Sequence, residues 1–521
     1  MPAPAAATDA RLPTGAATGT RAALAVIGLA LLLRAGVFPF AENKHGDAPM
    51  RALIAEWMNL DPQAAADPRT YCQFGPLHMT LMRPFLALDG DAPRSSRYLS
   101  LIAGVAVFFP FLRLARRIAP PAHAPVAALA LAVSPLHIQA STTASSEALY
   151  LLLMVTCLER LLAALETGAA RTFAVAGLLA SLAAITRYDA WIGLPAVALA
   201  AWFWGPAAAG AQGPAHAAAR RHMRRGLVLF AGITASLPLA WIAWSAHATR
   251  DPFFFARYIS SDHAHLAAAV NARWGALGAR GRQLGIWSLS FVAAMSLPMV
   301  VAAAVALRRF TALPAAAKIV VLAALTPPAL YLAQGLLRLT FEPLPRFALI
   351  PGALLLPLAA DVIGRRWSAT RCRIAVAASA AVVSAVVLAV AWGGPRRVWP
   401  GAESLAPITR LDGEDRALAA YLRAHRQPDE RVLIEPLDFA DIVIAHAARV
   451  PATLTVSLAI TRHAEPTVAA TLARTGARWL AVYDGAPDGW GQRLAADWPR
   501  DSLRFGHWKL LHDPASRNLG E

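Results

Sequence analysis

The sequence predicts a polytopic α-helical membrane protein with a small C-terminal α/β extracytoplasmic domain. Three observations lead there. Of 521 residues, 57% are hydrophobic and only 16% are charged, and mean hydropathy is +0.45. The apolar runs reach the roughly 17–25 residues of a bilayer-crossing helix and do not alternate as barrel strands do. From about Asp412 the composition turns polar, and helical stretches alternate with β-like runs.

A net charge of +17 would suit a nucleic-acid partner, but its distribution argues for a bilayer. Arginines gather on alternate connections between apolar segments, as the positive-inside rule requires, so no nucleic acid is expected. Cys72, Cys157 and Cys372 lack metal-type spacing, and only Cys72 falls in an outer loop. No structural disulfide is expected.

Taken in order, the chain yields about eleven spans by the length criterion. Residues 1–21 read as a cytoplasmic tail. No small-residue cleavage site follows the first apolar run (22–40, carrying Arg34), so it reads as a retained span. It leads into an outer loop, 41–97. Spans 98–114, 125–138, 148–165, 173–185 and 192–204 follow, then a linker ending in Arg220, Arg221, Arg224 and Arg225. The short pair 173–185 and 192–204 also fits one re-entrant hairpin. Span 226–246 precedes a second outer loop, 249–285, and spans 286–307, 319–337, 347–363 and 374–392 complete the transmembrane domain, 22–395. On this count Arg113, Arg116 and Arg117, the 220–225 cluster, Arg308 and Arg309, and Arg365 and Arg366 share one face.

The remaining chain, 396–521, carries helical stretches at 415–425 and 465–475. These precede the β-like runs Arg431-Val432-Leu433-Ile434 and Trp479-Leu480-Ala481-Val482-Tyr483. That order predicts a small α/β domain. It holds no nucleotide fingerprint or metal motif and reads as an acceptor platform, a lid or a catalytic contributor.

Charge collects in the loop Glu42-Asn43-Lys44-His45-Gly46-Asp47-Ala48-Pro49. Immediately after it Met50, Leu53, Ile54, Trp57 and Met58 share one helical stripe, with Arg51, Glu56 and Asn59 on the other side. Too short to span, this stripe predicts a helix on the membrane surface that holds Asp47 at headgroup depth. Asp47 is either a helix N-cap or a general base. Glu147 follows a run of hydroxylated residues at the outer end of a span. It either favours the helix dipole or belongs to a site.

Arg187, beside Tyr188 and Asp189, lies opposite the basic clusters. It pairs with Asp189, snorkels to the interface, or binds a phosphate through its fork of N–H groups. Arg346 and Arg34 pose the same choice. In the second loop, Phe253-Phe254-Phe255, Arg257, Tyr258, Asp262, His263, His265 and Arg273 form an anchoring belt or touch substrate. His263 and His265, two apart, do not share a helix face. A single histidine with an outer carboxylate can still hold a divalent ion, and His265 and Glu147 are the candidates.

The order of these parts resembles the GT-C superfamily of polyprenyl-phosphate-sugar-dependent glycosyltransferases, in the branch of protein O-mannosyltransferases and the bacterial aminoarabinose transferase of lipid A. The pieces that carry it are the Arg34-ending first span, Gly46-Asp47-Ala48-Pro49-Met50-Arg51, and Phe74-Gly75-Pro76-Leu77-His78. Ser134-Pro135-Leu136-His137, Ser146-Glu147 and Thr186-Arg187-Tyr188-Asp189 complete the set. It covers about the first 210 residues and is topological beyond them. Here a lone Asp47 stands where the branch often has an acidic pair, and Phe74-Gly75 replaces a frequent lysine.

The resemblance implies an inverting sugar transfer from a polyprenyl-phosphate donor to a protein, lipid or polysaccharide acceptor on the outer face of a bacterial inner membrane. It implies Asp47 and Glu147 as the acidic groups. Arg187, Tyr188 and Arg346 are expected at the donor phosphate, with His78, Arg257 and His263 as further substrate contacts. It implies no particular cofactor, and a divalent metal is a candidate. From the residues alone, a lipid-linked saccharide flippase or a non-catalytic scaffold are the rivals. The chain shows no clear internal repeat of the kind transporters carry.

Overall fold

The computed structural model describes residues 14–44, 46–89, 91–208, 214–393, 402–435, 440–456, 468–484 and 502–512. His45, most of the expected 1–21 tail and the expected 395/396 domain boundary lie outside them.

The helical part opens with α1 (Thr14–Val37). The first outer loop folds as α2 (Ala48–Leu60), α3 (Pro62–Ala66), α4 (Pro76–Asp89) and α5 (Ala92–Ser95). The bundle continues with α6 (Tyr98–Ala106), α7 (Phe108–Ile118), α8 (Ala124–Ala132), α9 (Pro135–Thr142), α10 (Ser146–Thr167), α11 (Ala170–Ala184) and α12 (Asp189–Ala208). Then come α13 (Pro214–Thr249), α14 (Phe254–Met295), α15 (Leu297–Leu307), α16 (Ala315–Ala333), α17 (Leu349–Gly364) and α18 (Ala369–Gly393).

Among the described residues seven helices are long and apolar enough to cross a membrane, or up to nine if each of two bent pairs is one span. This is a multi-pass membrane protein. All eleven expected segments are helical, but α11, at 15 residues, is short for a crossing. The two bent pairs have identifiable causes. Between α8 and α9 the axis turns by 60° at Ser134-Pro135, where proline supplies no N–H and the Ser134 hydroxyl accepts from His137 N at 3.4 Å. Between α14 and α15 it turns by 106° at Ser296, whose φ is +74°.

Arg34 serves the first of these breaks. Fully buried, it donates to Ala30 O at 2.9 Å and to Ala132 O at 3.1 Å, and contacts His137 Nδ1 at 2.6 Å and Ser141 Oγ at 3.3 Å. Ala132 O is one of the carbonyls freed where α8 ends, and the Arg34 guanidinium supplies its donor. Neither an acidic partner nor snorkelling, the structural alternatives to a phosphate, describes it: carbonyls, His137 and Ser141 hold it inside the bundle.

Two expectations about the loops change. The stripe on α2 does not lie open to lipid, because protein covers both of its sides. Ile54 and Met58 pack with Met79, Met82 and Leu86 of α4, while Leu53, Met50 and Trp57 pack with Ile442 and Ala452. Arg51, expected on the polar side, is 4% exposed. The second loop is helical for most of its length: α14 runs through it, with a kink at Gly275 (φ +65°). Its aromatic triplet is not a uniform belt. Phe255 is buried and stacks on Tyr188 at 4.6 Å, whereas Phe253 is half exposed.

Beyond the bundle come α19 (Gly413–His425), β1 (Val432–Ile434), α20 (Ala440–Ala447), β2 (Thr455–Val456), α21 (Val468–Thr475), β3 (Trp479–Tyr483), β4 (Leu503–Phe505) and β5 (Trp508–His512). The sheet order is β2-β1-β3-β5-β4. β1 pairs parallel with β2 and β3, while β5 pairs antiparallel with β3 and β4. A separate core of Leu418, Leu422, Val432, Ile434, Trp479, Trp508 and Leu510 fills the space between α19, α20 and the sheet. Both buried indoles are satisfied, Trp479 by Glu430 at 2.7 Å and Trp508 by Asp415 at 2.7 Å.

Candidate active site

Four chain segments meet where the first loop folds back on the bundle. Gly46 turns the chain with φ +58°, and Asp47 follows at the start of α2. Its carboxylate makes no capping bond to the helix. Instead Asp47 Oδ2 accepts from Arg346 Nη2 at 2.8 Å and lies 3.6 Å from Arg51 Nη2, one turn along α2. The N-cap reading of Asp47 therefore loses its support.

Arg346 comes from the short turn Pro345–Ala348 ahead of α17. Its Nε is 3.4 Å from Glu147 Oε1, without hydrogen-bond geometry, so that N–H has no protein partner. Glu147, in the first turn of α10, is bonded to Arg187 Nη1 through the same oxygen. Arg187 Nε in turn donates to Asp189 Oδ2 at 2.6 Å, and the Tyr331 hydroxyl closes the chain on Asp189 Oδ1. Asp47, Arg346, Glu147, Arg187 and Asp189 thus form one alternating acid–base chain. Arg51 is the added cation at its Asp47 end, so carboxylates and guanidiniums balance.

Charges this deeply placed persist only because each has an opposite neighbour. Arg51 shows the competition. Burial pulls its guanidinium down to about 10 while Asp47 and Glu147 pull the other way, so it stays charged at neutral pH. Its face lies 4.1 Å from the Phe74 ring, and its Nη1 has no partner. Gly75 lets the start of α4 come close to the bundle: a Cβ there would sit 2.4 Å from Ile185 O. That contact sets α4 against the Thr186–Asp189 turn.

The other expected residues divide. His78 is fully buried beside the cluster, 3.5 Å from Ser100 Oγ, with Nδ1 unpartnered. Burial, and then the charge of Arg51, push its imidazole down to about 3, so it is neutral. His263 stacks on Phe341 at 4.4 Å, in an aromatic wall that continues through Tyr331 and Phe347. Arg187 and Arg346 lie against that wall, 5.9 Å and 5.7 Å from the Phe347 ring. Tyr188, expected at a phosphate, instead gives its hydroxyl to Phe74 O at 3.1 Å and serves packing. Arg257 is 74% exposed and pairs with Asp251, outside this chain of charges.

The metal candidates do not fit a cation. Glu147 faces two guanidiniums, and His265 is exposed with Ser261 as its neighbour at 3.5 Å. Among the described residues, no group of three or more His, Cys, Asp or Glu side chains is placed to hold a metal ion.

Arg51, Tyr331 and Phe347 were absent from the sequence-derived set. For Arg51 a signal existed, because the i, i+4 spacing from Asp47 places the two on one helical face. Nothing local announces Tyr331 or Phe347.

The architecture can be placed among known proteins. Over 97% of its length the chain superposes on 99% of ArnT from Cupriavidus metallidurans bound to undecaprenyl phosphate, with a TM-score of 0.57 and 16% identity. This is a GT-C fold. Archaeal oligosaccharyltransferase AglB from Archaeoglobus fulgidus, in complex with an inhibitory peptide and a dolichol-phosphate, shares the GT-C fold at a TM-score of 0.55 and 12% identity. That match covers 90% of this chain and 70% of the enzyme. Residues 73–209 match the family model described as dolichyl-phosphate-mannose-protein mannosyltransferase. No curated protein sequence matches the chain. The family match spans α4 to α12 and so includes Glu147 and Arg187, while Asp47 and Arg346 come from outside it.

Proposed function

We propose that this chain is a membrane glycosyltransferase that moves a sugar from a polyprenyl-phosphate carrier to an acceptor on the outer face of the membrane. The observation that carries it is the convergence of Asp47, Glu147 and Arg346 from three distant segments. Unpartnered Arg346 Nε and Arg51 Nη1 lie in that same cluster. A buried N–H without an acceptor costs about 1–3 kcal/mol, and a phosphate oxygen would supply the acceptor.

In this reading Asp47 takes the proton from an acceptor hydroxyl as its oxygen attacks the anomeric carbon. The bond from that carbon to the carrier phosphate breaks in the same displacement, which inverts the centre. Arg346 and Arg51 meet the charge that develops on the departing phosphate, a preorganised electrostatic contribution. Arg187, already held by Glu147 and Asp189, fixes Glu147 and sustains the positive potential. Residues 22–395 carry the reaction, 396–521 form the extracytoplasmic domain, and the basic clusters face the cytoplasm. No step uses a metal.

The test is to incubate the purified protein in liposomes with undecaprenyl-phosphate-linked radiolabelled mannose, glucose or aminoarabinose and a membrane extract. Label appearing covalently on protein, glycolipid or polymer supports the reading. Label that only crosses the bilayer on its carrier would indicate a flippase instead.

A further inference from the structure

The sheet-bearing C-terminal unit has no part in the chemistry described so far, yet it grips the segment that presents Asp47. Residues 42–44, between α1 and the Gly46 turn, form a tight bend with Asn43 at its apex, closed by Lys44 N donating to Glu42 O at 2.9 Å. Asn43 faces the bundle: its Oδ1 accepts from Ala144 N at 2.8 Å and its Nδ2 donates to Ser96 Oγ at 2.9 Å. Its neighbours face the C-terminal unit. Glu42 N donates to Thr409 O at 2.8 Å, and the Thr409 hydroxyl returns a bond to Glu42 O. The Glu42 carboxylate accepts from Leu411 N and pairs with Arg416 at 3.1 Å. Lys44 Nζ meets Asp412 Oδ2 at 3.1 Å. Farther along, Ile442 and Ala452 cover Leu53 on the outer side of α2.

Asp47 lies three residues beyond Lys44. The segment that aims it is therefore held on one side by the bundle, through Asn43, and on the other by residues 409–416. We propose that the C-terminal unit is a working part of the catalytic site, with Glu42 and Lys44 as positioning residues that fix the Asp47 carboxylate against Arg346. This inference rests on the reading of Asp47 as the reacting carboxylate. It assigns the unit a role other than platform or lid, because its contacts fall on the aiming segment itself. Misplacement of a reacting group by about 1 Å can cost about a hundredfold in rate, so loosening this grip is expected to lower kcat and to leave donor affinity nearly intact.

The test uses the full-length protein in nanodiscs, with Lys44→Asp, Asp412→Lys and the double exchange, plus Glu42→Ala and Glu42→Gln. Hydrogen exchange of residues 41–58 is read alongside turnover with whichever labelled donor the wild type uses. Each single charge reversal is expected to raise exchange across 41–47 and to lower kcat about tenfold, with KM for the donor within about twofold. The double exchange restores both, and Glu42→Gln, which keeps an acceptor for Leu411 N, retains more rate than Glu42→Ala. Faster exchange with wild-type kcat would overturn the positioning role, as would unchanged exchange in the single variants. A double exchange as slow as either single variant would overturn it too. If the wild type transfers no sugar, the exchange results still decide whether the unit holds the segment, while the reading of Asp47 fails separately.

Discussion

Gly46 is the residue on which the local geometry turns. Its φ of +58° lies in the left-handed region, and a Cβ there would sit 2.0 Å from Arg346 Nη1. A side chain at this position meets backbone strain of about 1–2 kcal/mol. It also meets a guanidinium that must give way, and that guanidinium is the one bonded to Asp47. Gly46→Ala is therefore expected to lower turnover by about ten- to a hundredfold while the bulk of the bundle melts as in the wild type. A transfer assay beside a melting curve checks this, and wild-type turnover would show that the Asp47–Arg346 contact is not needed. Residue-level reading of the sequence singled out Asp47, Glu147 and Arg346 by where their charge falls in the membrane pattern, and the three lie together in the fold. It misplaced Arg51 because a short amphipathic stripe was assumed to have one buried side, and α2 has two.

At the scale of elements, α20 joins the C-terminal sheet to α2. Its Asp441 is 3% exposed, with one oxygen lacking a partner. Burial pushes its carboxyl from the ordinary 3.8 up to about 7, against the opposing N–H groups of Ile442 and Asp441 itself. An acid whose folded-state value is raised holds its proton longer folded than unfolded. Stability therefore falls as pH rises from 3.8 to about 7 and is flat in this contribution above that. Fluorescence-monitored unfolding across this window should show the decline, and Asp441→Asn should flatten it; an unaltered slope in the variant would contradict the assignment. His446, also on α20, faces Glu56 at 3.5 Å.

Elements are also where legibility in the sequence changes. Apolar runs announced the helices because lipid leaves a backbone no alternative. The bend at Ser296 and the helical course of 249–285 were not visible, since packing against other helices decides both. The C-terminal alternation of helix and strand was legible from β1 and β3. The antiparallel β4–β5 pair depends on contacts distant in sequence.

For the whole molecule, the central claim is that distant segments cooperate at one point. α1 hands the chain to a turn clasped by the C-terminal unit, α10 and the α11–α12 turn supply Glu147 and Arg187, and the turn before α17 supplies Arg346. The helices form a scaffold, and Asp47, Arg187 and Arg346 sit on the connections between them. The most direct measurement is the single-turnover rate of sugar transfer by Asp47→Asn, in liposomes, beside the wild type at equal donor occupancy. Loss of a general base is expected to slow transfer by about 10²- to 10⁴-fold with donor binding and melting temperature retained. A variant that transfers sugar at the wild-type rate would contradict the account.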